Sequence, residues 1–205
     1  MAVTSVKMDN KSPEELLKEQ RRGAAKPLLW VGIASMVMAF AGLTSGYVVS
    51  RSSLLEKERW MVFELPSYFY FSTAVIILSS ITIIWAVKSA KNGNANAATQ
   101  ALWITFLLGL GFAVLQVLGW KQLHDGGVFF TGASSNVAGS WVYAITFFHL
   151  LHMIGGLISL LFTTIKSTKG LYSSSDMLGI ELAATFCHFL DIVWIYLFIF
   201  LLFIR

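Results

Sequence analysis

The chain has 205 residues, of which 56% are hydrophobic and 13% charged, and its mean hydropathy is +0.69. Because a soluble domain of this length is never so apolar, the composition indicates an integral membrane protein and excludes soluble-type catalysis. The formal net charge of +4 does not predict a nucleic-acid partner, since the basic residues are spread over a polar arm and the loops.

Five apolar segments reach the length of about 20 residues that a membrane-spanning helix needs. They lie at residues 28–49, 65–87, 98–120, 139–165 and 177–204. We therefore predict an all-α, polytopic fold, with a polar arm at residues 1–26 and a bundle of five transmembrane helices at residues 27–205. The chain leaves no room for a second globular domain between these spans.

The arm contains a helix-start signal. Ser12 is placed to cap, Pro13 takes the first helical position and Glu15 completes a capping box. A short surface helix through about Arg22 is expected. The arm carries acids as well as bases and no short apolar core, so it does not resemble a cleavable signal peptide.

Further along, Gly42 and Gly46 in the first span are spaced for close approach of another helix. Residues 88–96, rich in Asn, Gly and Ala, predict a tight turn that makes the second and third spans antiparallel neighbours. The loop at residues 121–138 is the longest flexible segment, and its composition favours a plain exposed loop over a docking site.

The distribution of Lys and Arg predicts the orientation in the membrane. The arm and the second and fourth loops hold ten of them, against five on the other side. The positive-inside rule then places the amino terminus in the cytoplasm and the carboxyl terminus outside.

Five ionisable side chains interrupt the last two spans: His149, His152, Glu181, His188 and Asp191. A charge at the bilayer centre costs roughly 2.5–3.5 kcal/mol on insertion scales, so such groups indicate a function or a structural network. Helical phase and rise put the histidines of the fourth span on one face, level with Asp191 of the fifth. We expect these faces to meet and Asp191 to accept a hydrogen bond from His149 or His152, with Glu181 nearer the inner surface.

Three interpretations of this cluster compete. The first is a buried polar network that locks two helices together. The second is axial ligation of haem by imidazole, although two histidines three apart on one helix cannot clamp one haem between them. The third is a proton or ion path, for which the first three spans supply no charged group or histidine. Cys187, the single cysteine, cannot form an internal disulfide.

Three motifs carry a family resemblance. The last span, from Glu181 through Cys187-His188 to Asp191 and Trp194, is similar to a glutamate followed by W-H-F-V-D-x-V-W. The fourth span, with His149, His152 and Gly155, is similar to H-x-x-H-V-x-x-G, and Gln116 to Trp120 is similar to the end of G-x-x-F-x-x-x-Q-x-x-E-W. Together they resemble subunit III of the haem–copper terminal oxidases, in the bacterial five-helix short form.

The resemblance implies an accessory, non-redox subunit of a proton-pumping cytochrome c or quinol oxidase in a bacterial plasma membrane. It implies no catalytic residue, cofactor or metal in this chain, since haem and copper belong to subunits I and II. It also implies packing on subunit I, contact with subunit II or a larger respiratory assembly, bound phospholipid, and support of sustained turnover and proton uptake. The five ionisable residues would form a structural network, and Gln116, Trp120, Gly155 and Trp194 would be packing residues of the motifs.

The chain also departs from the family pattern. Met36 stands where the family normally has a buried glutamate, Gly119 replaces the usual glutamate before Trp120, and Cys187 replaces the usual tryptophan before His188. Two other function classes stay open on the sequence: a haem b membrane anchor of a respiratory dehydrogenase, and a small transporter, which would need broken helices or inverted repeats.

Overall fold

The computed structural model of the protein describes residues 13–56, 60–132, 135–172 and 177–204. This part of the chain forms five helices and contains no strand. Their bounds are α1 Pro13–Leu55, α2 Ser67–Lys91, α3 Ala95–Asp125, α4 Val137–Thr168 and α5 Leu178–Ile204. All five are long and apolar enough to cross a membrane, which confirms the predicted all-α, polytopic class.

The polar arm and the first span share one helix. The short surface helix expected to end near Arg22 is not a separate element, because α1 continues through Pro27 to Leu55. A proline inside a helix removes one backbone hydrogen bond and either kinks or ends the helix. Here the helix continues past Pro27 into Leu28 and Leu29. The predicted cap, Ser12, lies outside the described residues.

The turn between α2 and α3 has the tight form that the sequence predicts. Gly93 adopts a φ of 75°, a left-handed conformation that favours glycine. The side chain of Asn94 then accepts a hydrogen bond of 3.1 Å from the backbone nitrogen of Ala97 and caps α3. As a result, α2 and α3 are antiparallel neighbours along most of their length.

The arrangement of the bundle follows from which helices touch. Within the described residues, α3 packs on α2 and α4, while α5 packs on α2 and α4 and also on α1. Helix α1 contacts α4 and α5 but not α2. Helix α5 therefore lies between α1 and α2, and a gap remains between those two helices.

Aromatic rings fill the centre of the bundle. The indole of Trp194 meets the rings of Phe69 and Phe112 edge-on, at centroid distances of 5.6 and 5.1 Å. Small residues let the helices come close around these rings. This is usual in membranes, where the hydrophobic effect does not drive helix association and close packing takes its place. Gly46 lies against Trp141 as expected, whereas a Cβ at Gly42 would meet nothing within 4 Å.

Gly119 provides a test of this packing. A Cβ at this position would overlap the ring of Phe69, which is wholly buried. We expect Gly119→Ala to lower the free energy of unfolding in detergent by about 1–3 kcal/mol, the usual cost of overpacking. The matched control is Gly111→Ala on the same helix, where a Cβ meets nothing within 4 Å and stability should not fall. Equal stability of both variants would contradict the packing.

Candidate functional site

The ionisable residues of α5 point to α2 and α1 rather than to the histidines of α4. Ser80 Oγ of α2 lies 2.7 Å from His188 Nδ1, a hydrogen bond across the helix interface. Ser80 also interacts with the Asp191 carboxyl group. Whether the Ser80 hydroxyl donates to His188 Nδ1 or accepts from it depends on the imidazole tautomer. These three residues form one polar cluster, which we call the α2–α5 cluster.

Glu181 lies apart from this cluster, in the first turn of α5. Its Oε2 atom is 3.0 Å from Lys26 Nζ of α1, and both side chains are partly exposed. A carboxylate near the end of a spanning helix costs less than one at the membrane centre. The ion pair joins the amino-terminal halves of α1 and α5.

His149 occupies an aromatic box instead of a polar network. Its ring is wholly buried, with centroids 5.1 Å from Trp194, 5.8 Å from Phe112 and 6.2 Å from Phe40. Neither ring nitrogen has a hydrogen-bond partner, and one carboxylate oxygen of Asp191 also has none. The expected hydrogen bond from His149 to Asp191 is therefore wrong, because the Trp194 ring packs beside the imidazole.

His152 is half-buried one turn further along α4. Its Nδ1 atom lies 2.7 Å from the carbonyl oxygen of Phe148, within its own helix. Its ring contacts Phe40 of α1 at a centroid distance of 5.6 Å. Among the described residues, this backbone bond is the only hydrogen bond of His152, so Asp191 is not its partner either.

The motif residues of α3 and α5 each donate a hydrogen bond to a hydroxyl on another helix. Gln116 Nε2 donates to Ser72 Oγ at 2.9 Å, and Trp120 Nε1 donates to Thr146 Oγ1 at 2.9 Å. Trp194 Nε1 donates to Thr73 Oγ1 at 3.0 Å. The indole nitrogen of Trp120 is thus anchored inside the bundle.

Two adjacent glycines of α4, Gly155 and Gly156, differ in their surroundings. A Cβ at Gly156 would lie 2.9 Å from a Leu190 methyl group and 3.3 Å from the Phe186 ring. Gly155 is exposed, and a Cβ there would meet nothing within 4 Å. Close approach of α4 and α5 therefore depends on Gly156.

The hydroxyls of α2 are the site residues that sequence reasoning missed. Ser72, Thr73, Ser80 and Thr82 each bond a side chain of another helix, with Thr82 joined to Thr105 of α3 at 2.8 Å. The sequence carries a signal for them, since six serine and threonine residues recur in this apolar span. That signal does not identify a partner helix, because a serine or threonine in a helix often bonds its own backbone, as Thr73 also does.

The three departures from the motif pattern sit in different surroundings. Gly119 is buried against Phe69, and Cys187 is buried on α5. Met36 is half-buried one turn before Phe40, the residue whose ring contacts both histidines of α4. In the described residues, no three His, Cys, Asp or Glu side chains come together as a metal site requires.

Five spanning helices with polar side chains bonded between them define a multi-pass helical membrane protein. The model of the family described as cytochrome c oxidase subunit III matches residues 59–204. The chain belongs to this family.

Individual relatives agree with the family. The chain is 39% identical over 128 residues to cytochrome c oxidase subunit 3 of Paracentrotus lividus, covering 62% of this chain and 47% of that protein. It is 36% identical over 137 residues to the protein of the same name from Petromyzon marinus, covering 67% and 49%. With that of Spodoptera frugiperda it shares 34% over 137 residues, covering 67% and 87%. The chain thus spans about half the length of most of these relatives.

Loss of the Ser80 hydroxyl should show how strongly the α2–α5 cluster holds the bundle. Ser80→Ala leaves His188 Nδ1 and Asp191 without this partner, so we expect the free energy of unfolding in detergent to fall by about 1–2 kcal/mol. Ser35→Ala is the matched control, because the Ser35 hydroxyl bonds the carbonyl of Val31 in its own helix. The cluster's contribution is refuted if the two variants lose the same amount.

The Lys26–Glu181 pair should contribute little to stability. Both side chains are partly exposed, and exposed ion pairs are worth about 0–1 kcal/mol. A double-mutant cycle with Lys26→Gln and Glu181→Gln should give a coupling energy in that range, and added salt should decrease it. A coupling well above this range, insensitive to salt, would show that the pair is desolvated.

Proposed function

We propose that the chain is an accessory, non-redox subunit of a proton-pumping haem–copper terminal oxidase, which reduces oxygen to water in aerobic respiration. The observation that carries the proposal is the family match, which extends over residues 59–204 and includes α2 to α5. The relatives bear the name of one subunit of a cytochrome c oxidase. The redox centres, haem and copper, would lie in subunits I and II, and subunit I would be the principal partner.

In this role the polar side chains are structural. The α2–α5 cluster and the hydrogen bonds of Gln116, Trp120 and Trp194 each join two helices, so their loss would loosen the bundle rather than stop a reaction step. Glu181, His149 and His152 belong to the same structural set, through an ion pair and through ring packing. None of these residues is proposed as catalytic.

The proposal includes a place in the cell and bound lipid. The inner ends of α1, α2 and α4 carry Lys26, Lys88, Lys91 and Lys166, which favours a cytoplasmic position for these ends. We place the protein in a bacterial plasma membrane, with the carboxyl terminus outside. By the family resemblance it would hold phospholipid between its helices, support sustained turnover and proton uptake, and contact subunit II or a larger respiratory assembly.

The packing disfavours the alternative of a haem b anchor. A haem ligand needs an open face beside the imidazole. The rings of Phe40, Phe112 and Trp194 surround His149, and its exposed fraction is 0%. His149 therefore offers no space for a macrocycle in this bundle.

Purification in mild detergent tests the proposed function. We expect the tagged chain to retain partner subunits whose absorption spectrum shows haem, while the chain separated from them has no Soret band. Asp191→Asn should reduce the amount of this chain per haem in the purified complex without reducing the haem content of the partners. Asp125→Asn, at the exposed end of α3, is the control and should change neither quantity. Purification as a stable chain without any haem–copper partner would refute the accessory role.

A further inference from the structure

Helix α1 presents a row of small residues on the side next to α4. Gly32, Ala39 and Gly46 recur every seven residues, so they lie on one side of the helix. At Gly46 this side lies against the Trp141 ring of α4. Ala39, by contrast, is exposed, and a Cβ at Gly32 would meet nothing within 4 Å. This side of α1 is therefore covered by α4 at Gly46 and open towards the amino-terminal end.

The adjoining side of α4 is open as well. Gly155 and Ser159 follow His152 by three and seven residues, so these residues lie on one side of the helix. His152 touches α1 through the Phe40 ring. Gly155 and Ser159 are exposed, and a Cβ at Gly155 would meet nothing within 4 Å. The surface that we call the α1–α4 face consists of Gly32, Ala39, His152, Gly155 and Ser159.

His152 places a hydrogen-bond acceptor on this face. Its Nδ1 atom lies 2.7 Å from the carbonyl oxygen of Phe148, which can only accept, so Nδ1 carries the proton. In the neutral ring Nε2 is then an acceptor. Among the described residues Nε2 has no partner, and side chains do not enclose it as they enclose the nitrogens of His149. His152 lies midway along α4, at a depth where neither water nor a lipid headgroup donates to it.

A helix of another protein satisfies both features of this face. An acceptor without a partner is unfavourable in hydrocarbon, and glycine is a poor helix former where nothing packs on it. Both become favourable where a second helix comes close and donates a hydrogen bond. A second copy of this chain does not fit, because a two-fold pair would bring two Nε2 acceptors together with no donor between them.

We propose that the α1–α4 face docks a transmembrane helix of another protein, which donates a hydrogen bond to His152 Nε2 from a hydroxyl, amide or indole group. Gly32 and Gly155 let the backbone of that helix approach. The lipid-facing sides of α2 and α3 carry large apolar side chains instead, such as Ile81 and Leu107. The inference rests on the proposed accessory role and names the surface through which the chain joins its complex.

Removal of the acceptor tests the hydrogen bond. We expect His152→Phe to weaken retention of this chain in the complex by about threefold to tenfold, the range for hydrogen bonds between membrane helices. Retention is measured as chain per haem when the complex, purified in mild detergent, is diluted. Phenylalanine keeps the ring contact with Phe40, and His152→Gln keeps an acceptor and should restore most of the retention. Full retention by His152→Phe would overturn the hydrogen bond, as would equal loss by both variants.

A larger side chain at Gly155 tests the close approach. A Cβ there meets nothing of this chain within 4 Å, so Gly155→Leu should fold, but the leucine fills the α1–α4 face. We expect retention in the complex to fall about tenfold, a typical effect of overpacking. Gly111→Leu on α3 is the matched control, because a Cβ there also meets nothing within 4 Å, and it should stay in the complex. Equal retention of the two variants would overturn the docking surface.

A photocrosslinking amino acid at Ser159 identifies the occupant of the face. In the purified complex we expect a crosslink to a membrane-spanning segment of another protein, with a donor side chain about two turns from the crosslinked residue. The same amino acid at Leu78, an exposed position on α2, which touches neither α1 nor α4 in the described residues, should not crosslink to that segment.

Three results would overturn the docking proposal: crosslinks from Ser159 to lipid alone, crosslinks to a second copy of this chain, or a Soret band of the separated chain that His152→Phe removes. If haem–copper partners still co-purify with the unchanged chain when the first or second result is found, the accessory role stands and only the docking surface fails. A chain that purifies without those partners would instead refute the accessory role itself.

Discussion

A polar side chain inside a bilayer has no water to bond, so it must find a partner on another helix or be enclosed by other side chains. Both arrangements occur in this structure, and the packing of the bundle depends on the hydrogen bonds between helices. Ser80 of α2 meets His188 and Asp191 of α5, and Thr73 of α2 meets Trp194 one turn further on. These bonds align α2 with α5 over about 10 Å, the rise of the seven residues from Thr73 to Ser80. His149 is the polar side chain that is enclosed without a hydrogen bond, since it lies among three aromatic rings.

The position of α1 in the bundle follows from its few polar contacts, which are made with α5. Helix α1 is joined to α5 by the ion pair of Lys26 with Glu181, and further along both helices by a hydrogen bond of 3.2 Å from Tyr196 Oη to Thr44 Oγ1. Among the described residues no hydrogen bond joins α1 to α2, whose hydroxyls bond side chains of α3 and α5. The gap between α1 and α2 agrees with this use of the α2 hydroxyls.

Sequence reasoning predicted the class of the fold, all five spans and the tight turn at Gly93, because each depends on local composition and length. It also singled out the ionisable residues that lie within the bundle. It failed on their partners. Helical phase gives the face of a helix on which Asp191 lies, but not which of three neighbouring helices that face meets. Depth in the membrane placed Asp191 level with the histidines of α4. In the structure the indole of Trp194 lies beside His149, and the Asp191 carboxylate faces Ser80 instead. The prediction of a separate arm helix was also wrong, because α1 continues through Pro27, which removes one backbone hydrogen bond without ending the helix.

Two of the positions at which the motif resemblance is incomplete, Gly119 and Met36, can be understood through the same packing. The site of Gly119 is closed by the Phe69 ring, so a glutamate there would need that ring to move away from Trp194, and Trp194 in turn supports His149. Glycine at 119 and the aromatic box around His149 therefore depend on each other. Met36 lies one turn from Phe40, which closes the same box from the side of α1. A methionine there continues the apolar surroundings of Phe40, so the absence of a carboxylate at this position agrees with an imidazole that is enclosed rather than paired.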